Sequence, residues 1–323
     1  MITRKDVAEL AGVSKTTVTR VLSGRGYVSE ENRKKVKAAV EKLNYIPNMI
    51  AKNLNQKFSN IVAVLVEDLT NQYYLQIISA MNSEAMRAGM MVSLFSVNKN
   101  NINSVIENLI ANRVRGIVNL ALYTCDKRYI DILKNLGIFL INIEGGNALI
   151  LNYESGIIEV FERLRQCGKK RVAFLAGLSK DFIANDNRYL SYNKCVDAFG
   201  FVRDDGYIIY GNYPEEDAFS VGRKSVRELL AAGKSVDCVL CLNDVVAIGA
   251  LHELWKQGVR IPDDVSVVGC DNILMSSYTT PPLASFDIGI EQQAHAFIES
   301  MLSPEKQQDY VFNARLVVRE SLI

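Results

Sequence analysis

From residue 60 onward, short apolar runs alternate with amphipathic segments in two successive series. The first series comprises IVAVLV, MVSLFSV, GIVNL and GIFLINI, and the second comprises RVAFLAG, YIIYG, DCVLCL and VSVVG. Helical patterns such as Tyr74 to Ala88 and Ile102 to Asn112 separate them. Strands that alternate with helices form a parallel sheet covered on both faces. Two series therefore predict two α/β lobes.

Charge is divided unevenly along the chain. Residues 1–57 carry 12 Lys/Arg against 5 Asp/Glu, whereas the remainder carries 25 against 31. Lysine and arginine near phosphates release counterions and supply affinity that is independent of base sequence. The N-terminal end is therefore predicted to bind a polyanion; a solvated basic helix is the alternative that charge alone leaves open.

The chain shows no targeting or membrane segment. Its first residues are charged without an apolar stretch, and nowhere do eighteen apolar residues follow one another, so we expect a cytoplasmic protein. Of six scattered cysteines, only Cys238 and Cys241 form a CxxC. In a strand, the period of two sends these thiols to opposite faces. All six are predicted to be reduced core residues, and no metal site is expected.

Three N-cap signals near the N-terminus predict three short helices. Thr3 and Asp6 have the capping-box spacing, and Ser14 and Ser29 are good caps. The first predicted helix ends at about Ala11. The second spans Lys15 to about Leu22, and the third spans Glu30 to about Leu43. This arrangement predicts an all-α helix-turn-helix domain over residues 1–46.

One face of the second helix is suited to reading DNA. Lys15, Thr16 and Arg20 share that face, whereas Thr17, Val18, Val21 and Leu22 are predicted to pack. The second helix of a helix-turn-helix enters the major groove, where an arginine can grip guanine O6 and N7 with two donors. The alternative is that these residues are exposed polar side chains without a DNA contact.

Residues 47–58 are predicted to form a hinge. Asn48 to Leu54 has a helical pattern too brief to be stable alone, so we expect it to fold against DNA and a partner chain. Leu54 is the candidate for an apolar wedge in the minor groove, with Asn48 and Ala51 as further DNA contacts. A linker contact onto the next domain is the alternative for Leu54.

The stretches DVAELAGVSKTTVTRVL and GYVSEENRKKVKAAVEKLNYIPNMIAKNL closely resemble the DNA-binding head and hinge of the LacI/GalR family of bacterial repressors. Four further runs match the landmarks of that family's sensor domain in order and spacing: EDLTNQYY, NDVVAIGAL, IPDDVSVVGCDN and YTTPPLASF. The resemblance implies a homodimer that binds a pseudo-palindromic double-stranded operator, and a small effector that changes its affinity for that operator. It places Lys15, Thr16 and Arg20 at base-reading positions and Leu54 at the hinge wedge.

The fold that the resemblance implies is a helix-turn-helix head followed by a two-lobed, periplasmic-binding-protein-like sensor domain of residues 59–323. We expect one lobe to contain residues 59–152 and 285–308, and the other residues 153–284 and 309–323. The chain also stops without a leucine-heptad tail, which is expected of a dimer rather than a tetramer.

Ligands of open α/β sheets bind outside the carboxyl ends of the strands, and the cleft between lobes is the expected site. Residues after the predicted strands are Asn71, Tyr73, Tyr74, Glu144, Asn243 and Asp271. The resemblance places Arg188 at the position of the arginine that binds the effector in the family, and Tyr213 at the position of an aromatic residue that stacks on it. Such groups suit the hydroxyls and C–H face of a sugar. The alternative for Arg188 and Asp271 is a structural ion pair. The alternative for Asp68 is a helix-capping role without ligand contact.

Three positions depart from the family's pattern. Ser191 replaces a usual glycine, Cys270 replaces an aromatic, and Glu144 replaces a shorter aspartate. These departures put the shape of the pocket in doubt more than DNA binding. They leave open a DNA-binding architectural protein whose sensor is vestigial.

An enzyme or a carbohydrate-binding protein without operator specificity is the alternative function. His252 and His295 are the histidines available as bases, and we find no G-x-S-x-G, P-loop or G-x-G-x-x-G motif. Neither catalytic residues nor a cofactor are therefore expected. A periplasmic sugar carrier would need an export signal and would lack the basic head. The effector, the direction of its effect and the operator stay open.

Overall fold

Three short helices form the first of two units of the computed structural model, Met1–Ser59 and Asn60–Ile323. The structure describes residues 2–24, 26–46, 57–142, 147–303 and 308–323. The helices are α1 (Arg4–Ala11), α2 (Lys15–Ser23) and α3 (Glu30–Lys42). They begin at the predicted caps Thr3, Ser14 and Ser29, and Asp6 completes the capping box by accepting from the Thr3 N–H at 2.7 Å. The three predicted helices are confirmed to within one residue.

A small apolar core holds this head together. Val7, Val18 and Val36, one from each helix, are fully buried. Leu22 was predicted to pack with Val18 but is 36% exposed. The packed stripe runs through Val18 and Val21, and one more step of about 100° along the helix turns Leu22 outward.

The first lobe of the second unit is built on a six-stranded sheet in the order β2-β1-β3-β4-β5-β11, with every pair parallel. Its strands are β1 (Ile61–Val66), β2 (Met91–Ser96), β3 (Gly116–Asn119), β4 (Phe139–Asn142), β5 (Asn147–Asn152) and β11 (Tyr310–Asn313). Its helices are α4 (Gln72–Arg87), α5 (Ile102–Ala111), α6 (Lys127–Leu136) and α12 (Ile290–Leu302). The unbroken apolar run of β1 reflects burial on both sheet faces.

The second lobe has a matching sheet in the order β7-β6-β8-β9-β10-β12, in which only β12 runs antiparallel. Its strands are β6 (Val172–Leu175), β7 (Ile208–Ile209), β8 (Cys238–Cys241), β9 (Ser266–Cys270), β10 (Ala284–Asp287) and β12 (Arg315–Val317). Its helices are α7 (Glu154–Gln166), α8 (Lys180–Ile183), α9 (Asn187–Phe199), α10 (Ala218–Ala231) and α11 (Asp244–Lys256). The prediction of an all-α head followed by two parallel-rich α/β lobes is confirmed.

The assignment of the C-terminal segments to lobes differs from the prediction. Residues 309–323 were placed in the second lobe, but β11 pairs with β5 in the first sheet, with Tyr310 opposite Leu149. Most of β10 was placed in the first lobe, but it lies beside β9 in the second. Strands of three or four residues carry too little periodicity to reveal which sheet they join. For the same reason β10, β11 and β12 were not predicted as strands.

All six cysteines lie within the described residues and are free. Cys238 and Cys241 are buried in β8, as predicted, whereas Cys167 is exposed. Cys167 was predicted to be a core residue but follows the last turn of α7, where the chain leaves the packed helix. Among the described helices, none combines the length and apolar character that crossing a membrane requires.

Candidate ligand-binding cleft and DNA-reading helix

A cavity of about 200 Å³ lies between the two lobes at the carboxyl ends of both sheets. The first lobe contributes residues that follow β1 and β3, and the second contributes residues that follow β6, β8 and β9. In the first sheet β1 lies between β2 and β3, and in the second sheet β6 lies between β7 and β8, so the strand order changes direction at β1 and at β6. Ligands of α/β proteins bind at such topological switch points.

Seven of the eight predicted ligand residues line this cavity: Asn71, Tyr73, Tyr74, Arg188, Tyr213, Asn243 and Asp271. Glu144 lies outside the described residues. Asp68 accepts hydrogen bonds from the Thr70 N–H and Oγ1 at 2.8 and 2.6 Å and so organises the turn before α4. Ser191 and Cys270 are not among the described residues that line the cavity. The structure thus brings the predicted strand-end residues together at one site.

Three helices begin at the cavity wall, which explains why polar residues collect there. Asn71, Asp186 and Asn243 are the N-caps of α4, α9 and α11. Asn71 Oδ1 accepts from the Tyr73 N–H at 3.0 Å, and Asn243 Oδ1 accepts from the Val246 N–H at 2.9 Å. The side-chain carbonyl oxygens of Asn71 and Asn243 thus serve as caps, and the Asn71 side chain also hydrogen-bonds Tyr213.

Arg188 is bound by a partner that the sequence reasoning missed. Its Nη2 and Nε donate to Asp186 Oδ2 and Oδ1 at 2.6 and 2.9 Å, and Nη1 donates to the Leu242 carbonyl at 2.7 Å. The guanidinium also lies 5.5 Å from the centre of the Tyr153 ring. Burial acts to raise the pKa of Asp186, but the charge and hydrogen bonds of Arg188 outweigh it and the pKa is lowered. An N-cap aspartate two residues before an arginine was the available sequence signal.

Glu67, directly after β1, is the second residue that was missed. Its Oε1 accepts from the Tyr74 hydroxyl at 2.7 Å and from the Tyr213 hydroxyl at 3.2 Å. Its Oε2 is buried and has no hydrogen-bond partner among the described residues. Burial raises the pKa of Glu67, although these hydrogen bonds oppose it. The acidic pair Glu67 and Asp68 was visible in the sequence, but a residue count could not tell which side chain enters the cleft.

Asp271 is held in an unusual backbone conformation by a buried hydrogen-bond network. Its φ is 106°, and that of Asn272 is 51°. Asp244 anchors the following loop by accepting from the Ile273 N–H at 2.8 Å and the Ser276 Oγ at 2.6 Å. Burial raises the pKa of Asp271 well above its ordinary value, and the nearby Asp244 carboxylate raises it further. Strained residues that a surrounding network fixes are typical of ligand sites.

The lobes also touch beside the cavity. The Asn187 Nδ2 donates to the Leu151 carbonyl at 3.0 Å, and the Met275 N–H donates to Gln72 Oε1 at 3.1 Å. The Tyr123 ring meets Phe182 edge to face, with 6.0 Å between centroids. Each contact joins one lobe to the other.

On the head, α2 presents its polar face to solvent. Lys15, Thr16 and Arg20 are exposed. The aliphatic part of Arg20 lies against Gly26, whose ideal Cβ position is 3.4 Å from Arg20 Cδ. The other predicted DNA contacts, Asn48, Ala51 and Leu54, lie outside the described residues.

Comparison with known proteins identifies the family. Residues 3–48 match the model for bacterial regulatory proteins of the lacI family, and residues 161–322 match a periplasmic binding protein-like domain. The chain is 32% identical to the HTH-type transcriptional repressor PurR of Pasteurella multocida (strain Pm70) over 298 residues, which covers 88% of this chain and 86% of that protein. The chain belongs to the lacI family of bacterial regulatory proteins.

Other members of the lacI family match over the full length. A probable HTH-type transcriptional repressor ExuR of Bacillus subtilis (strain 168) is 28% identical and covers 100% of this chain and 98% of that protein. The Lac repressor dimer bound to operator and the anti-inducer ONPF superposes with a TM-score of 0.84 at 26% identity, covering 99% and 98%. A complex of the transcriptional regulator CelR with cellobiose gives 0.70 at 25% identity, covering 99% and 100%.

The lacI-family relatives are transcriptional repressors, so the enzyme alternative is wrong for this chain. His252 and His295 lie on α11 and α12, where His252 contacts the rings of Phe219 and Trp255 and His295 faces Glu84. Neither histidine is among the described residues that line the cavity.

Proposed function

We propose that this lacI-family protein is a repressor that binds a pseudo-palindromic operator as a homodimer, and that a small polar ligand bound between the lobes changes its operator affinity. The ligand is proposed to be a sugar or a close derivative. The cavity shared by both lobes is the observation that carries this proposal, because a ligand that contacts both walls stabilises one arrangement of the lobes over another.

The chemistry of the cavity supports a small, ring-shaped, hydrogen-bonding ligand. Its volume of about 200 Å³ is below the range of about 300–1,000 Å³ that is usual for drug-sized ligands. Tyrosine rings and leucines supply apolar faces, and carboxylates, amides and one guanidinium supply polar groups. A sugar ring has both a C–H face and a rim of hydroxyls. Two relatives of known structure carry cellobiose and ONPF, respectively.

In this proposal α2 lies in the major groove of the operator. Lys15, Thr16 and Arg20 contact base edges, and Asn48, Ala51 and Leu54 of the hinge segment contact the minor groove. The excess of 12 basic over 5 acidic residues in positions 1–57 provides the phosphate affinity that every operator complex needs.

Exposed apolar side chains on both lobes support a homodimer. Leu75, Met86 and Met91 are 50%, 69% and 61% exposed on the first lobe. On the second, Trp255 and Tyr278 are 72% and 70% exposed. Apolar side chains that are exposed together in a contiguous patch mark association surfaces, and the similar Lac repressor structure is a dimer on its operator.

The proposal is tested by selecting genomic fragments with the purified protein and then measuring operator affinity with and without each sugar that raises its melting temperature. Coupling has to be reciprocal, so operator must change sugar affinity by the factor by which sugar changes operator affinity. Sugars that bind without any change in operator affinity would contradict the proposal, as would a protein with no sequence preference on DNA.

Variants of the cleft separate ligand response from folding. Arg188→Ala alone would leave Asp186 as an unpaired buried carboxylate, which typically costs about 3–5 kcal/mol. The double variant Arg188→Met with Asp186→Asn removes both charges and keeps a good N-cap on α9. We expect it, and Asp271→Asn, to abolish the ligand response and to leave ligand-free operator binding intact.

A further inference from the structure

The cleft contains more acidic than basic groups. Its described lining includes the carboxylates of Glu67, Asp186 and Asp271 and the single guanidinium of Arg188. Arg188 directs Nε and Nη2 to Asp186 and Nη1 to the Leu242 carbonyl. Asp186 is therefore neutralised. Glu67 and Asp271, one on each lobe, form no ion pair with a described lining residue, and only Asp271 is influenced by the charge of Arg188.

The lack of a countercharge is clearest at Glu67, from the hydrogen-bond partners of its two carboxylate oxygens. Its neighbours Tyr74 and Tyr213 are uncharged donors, and both bind Oε1. The buried Oε2 has no hydrogen-bond partner of good geometry among the described residues, and the backbone N–H groups of Glu67 and Leu122 act on the carboxyl without preventing the rise of its pKa. A buried carboxylate oxygen without a donor or a cation is unfavourable, and the upward shift of its pKa has the same origin. A ligand that offers a charged donor to Oε2 would remove this penalty.

The helix N-termini at the cavity do not make it favourable for an anionic ligand. Their positive ends favour anions, but acidic side chains of the protein already occupy two of them. Asp186 caps α9, and Asp244 is the first residue of α11. Asn71, which caps α4, already accepts from the Tyr73 N–H. A ligand carboxylate would instead add a further negative charge near Glu67 and Asp271.

The rings around the cavity favour a cation as well. Tyr73, Tyr74, Tyr153 and Tyr213 all line it, and their faces attract positive charge. Leu120, Leu149 and other leucines complete the wall and limit water. In such surroundings an ammonium–carboxylate pair is stronger than in bulk water.

We infer that the ligand of this cleft carries a positively charged amino group, as an amino sugar does, and that Glu67 is the residue that selects it. This inference rests on the proposed function and narrows its ligand class. The amino group binds the Glu67 carboxylate, and the hydroxyls of the ligand meet Asp271 and the amide of Asn243. A neutral sugar leaves Glu67 without a countercharge, and a sugar acid adds to the negative charge.

The test uses matched probes on the full-length protein. Two hexose sets are glucosamine, glucose and glucuronate, and galactosamine, galactose and galacturonate; an open-chain set is 1,4-diaminobutane, 1,4-butanediol and succinate. Dissociation constants are measured by calorimetry at pH 7. In at least one set we expect the amine to bind about tenfold or more tightly than its neutral partner, which corresponds to about 1.4 kcal/mol, with the acid weakest, because only the amine makes a charge-assisted hydrogen bond to the Glu67 carboxylate.

Glu67→Gln is expected to abolish that amine preference, Glu67→Asp to retain it in part, and Glu162→Gln to leave it unchanged. Glu162 is an exposed glutamate on α7 outside the cavity lining and serves as the matched control. Because Glu67→Gln removes an unpaired buried charge, we expect the ligand-free variant to melt no lower than the wild type, which checks that it is folded.

Three outcomes would overturn the inference: none of the amines binds, a neutral or acidic partner binds as tightly as its amine in every set that binds, or Glu67→Gln keeps the preference. The proposed function fails on a different result. A neutral or acidic probe that binds at least as tightly as its amine in every set that binds, and that changes operator affinity, keeps the proposed function and removes the amine preference. A probe of any charge that binds without changing operator affinity removes the proposed function.

Discussion

The Tyr213 hydroxyl, in the second lobe, donates a hydrogen bond to Glu67 Oε1 in the first lobe at 3.2 Å. Tyr74, from the same lobe as Glu67, donates to that oxygen as well, at 2.7 Å. The carboxylate therefore takes part in both the wall of the cavity and the contact between lobes. A change in the charge state or position of Glu67 would therefore alter the cavity wall and this contact between lobes together.

Tyr213→Phe should loosen this contact without removing the aromatic ring. Loss of a hydrogen bond to a carboxylate costs about 1–3 kcal/mol, and each kcal/mol lowers the melting temperature of a domain this large by about 2–4 °C. Calorimetric melting gives the stability, and small-angle X-ray scattering reports a more open sensor. Tyr278→Phe is the control, because its side chain is 70% exposed. Equal melting temperatures for the two variants would show that the Tyr213 hydrogen bond contributes nothing.

Asp244 predicts a specific dependence of stability on pH. Burial raises its pKa to about 6 from an ordinary value of 3.8, despite hydrogen bonds from Ser276 and Ser285. The folded protein therefore holds this proton more tightly than the unfolded chain does. The resulting stabilisation is full below about pH 4 and is lost as the pH rises to about 6.

Urea unfolding of the wild type and of Asp244→Asn between pH 4 and 8 measures this effect. The wild-type advantage in unfolding free energy should shrink from pH 4 to 6 and then stay constant, since asparagine does not titrate. A difference that grows with pH over this range would mean that the pKa of Asp244 is lowered in the folded protein.

Gly222 is required by the close crossing of α10 and α11. A Cβ atom there would lie 2.0 Å from the Val246 carbonyl oxygen, which is backbone and cannot move away easily. Gly222→Ala should destabilise the sensor by about 1–3 kcal/mol or more through overpacking. Gly168→Ala is the comparison: its φ is +71° but nothing lies within 4 Å of the added carbon. Urea unfolding should show the larger loss of unfolding free energy for Gly222→Ala. The reverse order would mean that backbone strain at position 168 costs more than overpacking at position 222.

The sequence predicted well whatever depends on a repeating local pattern. The caps Thr3, Ser14 and Ser29 and the unbroken apolar strands gave the head and the central sheets, since burial on both faces leaves little choice of residue. The polar residues after the strands collected at one cavity because parallel strands end at the same edge.

What depends on three-dimensional pairing was not predicted. The short strand β11 joins the first sheet through β5, and no feature within four residues encodes that partner. The Arg188–Asp186 pair and the Glu67–Tyr213 hydrogen bond were missed for a related reason. The spacing of Asp186 and Arg188 hinted at their pairing but did not show that the arginine turns back toward the N-cap, and nothing in the sequence indicates that Glu67 meets a tyrosine from the opposite lobe.

Arg20→Ala tests whether α2 reads base edges. Arg20 is exposed on α2, with its aliphatic part against Gly26, so the guanidinium can extend toward a groove without unfolding the head. Loss of a two-donor contact to guanine should cost about 1–3 kcal/mol on the preferred operator and flatten discrimination at one base position. Lys34→Ala, an exposed change on α3, should weaken all sequences equally or have no effect. Binding measured against a library of single-base operator variants distinguishes these patterns. An equal loss on every sequence for Arg20→Ala would mean that this arginine contacts phosphate, and base reading would then have to come from Lys15 and Thr16.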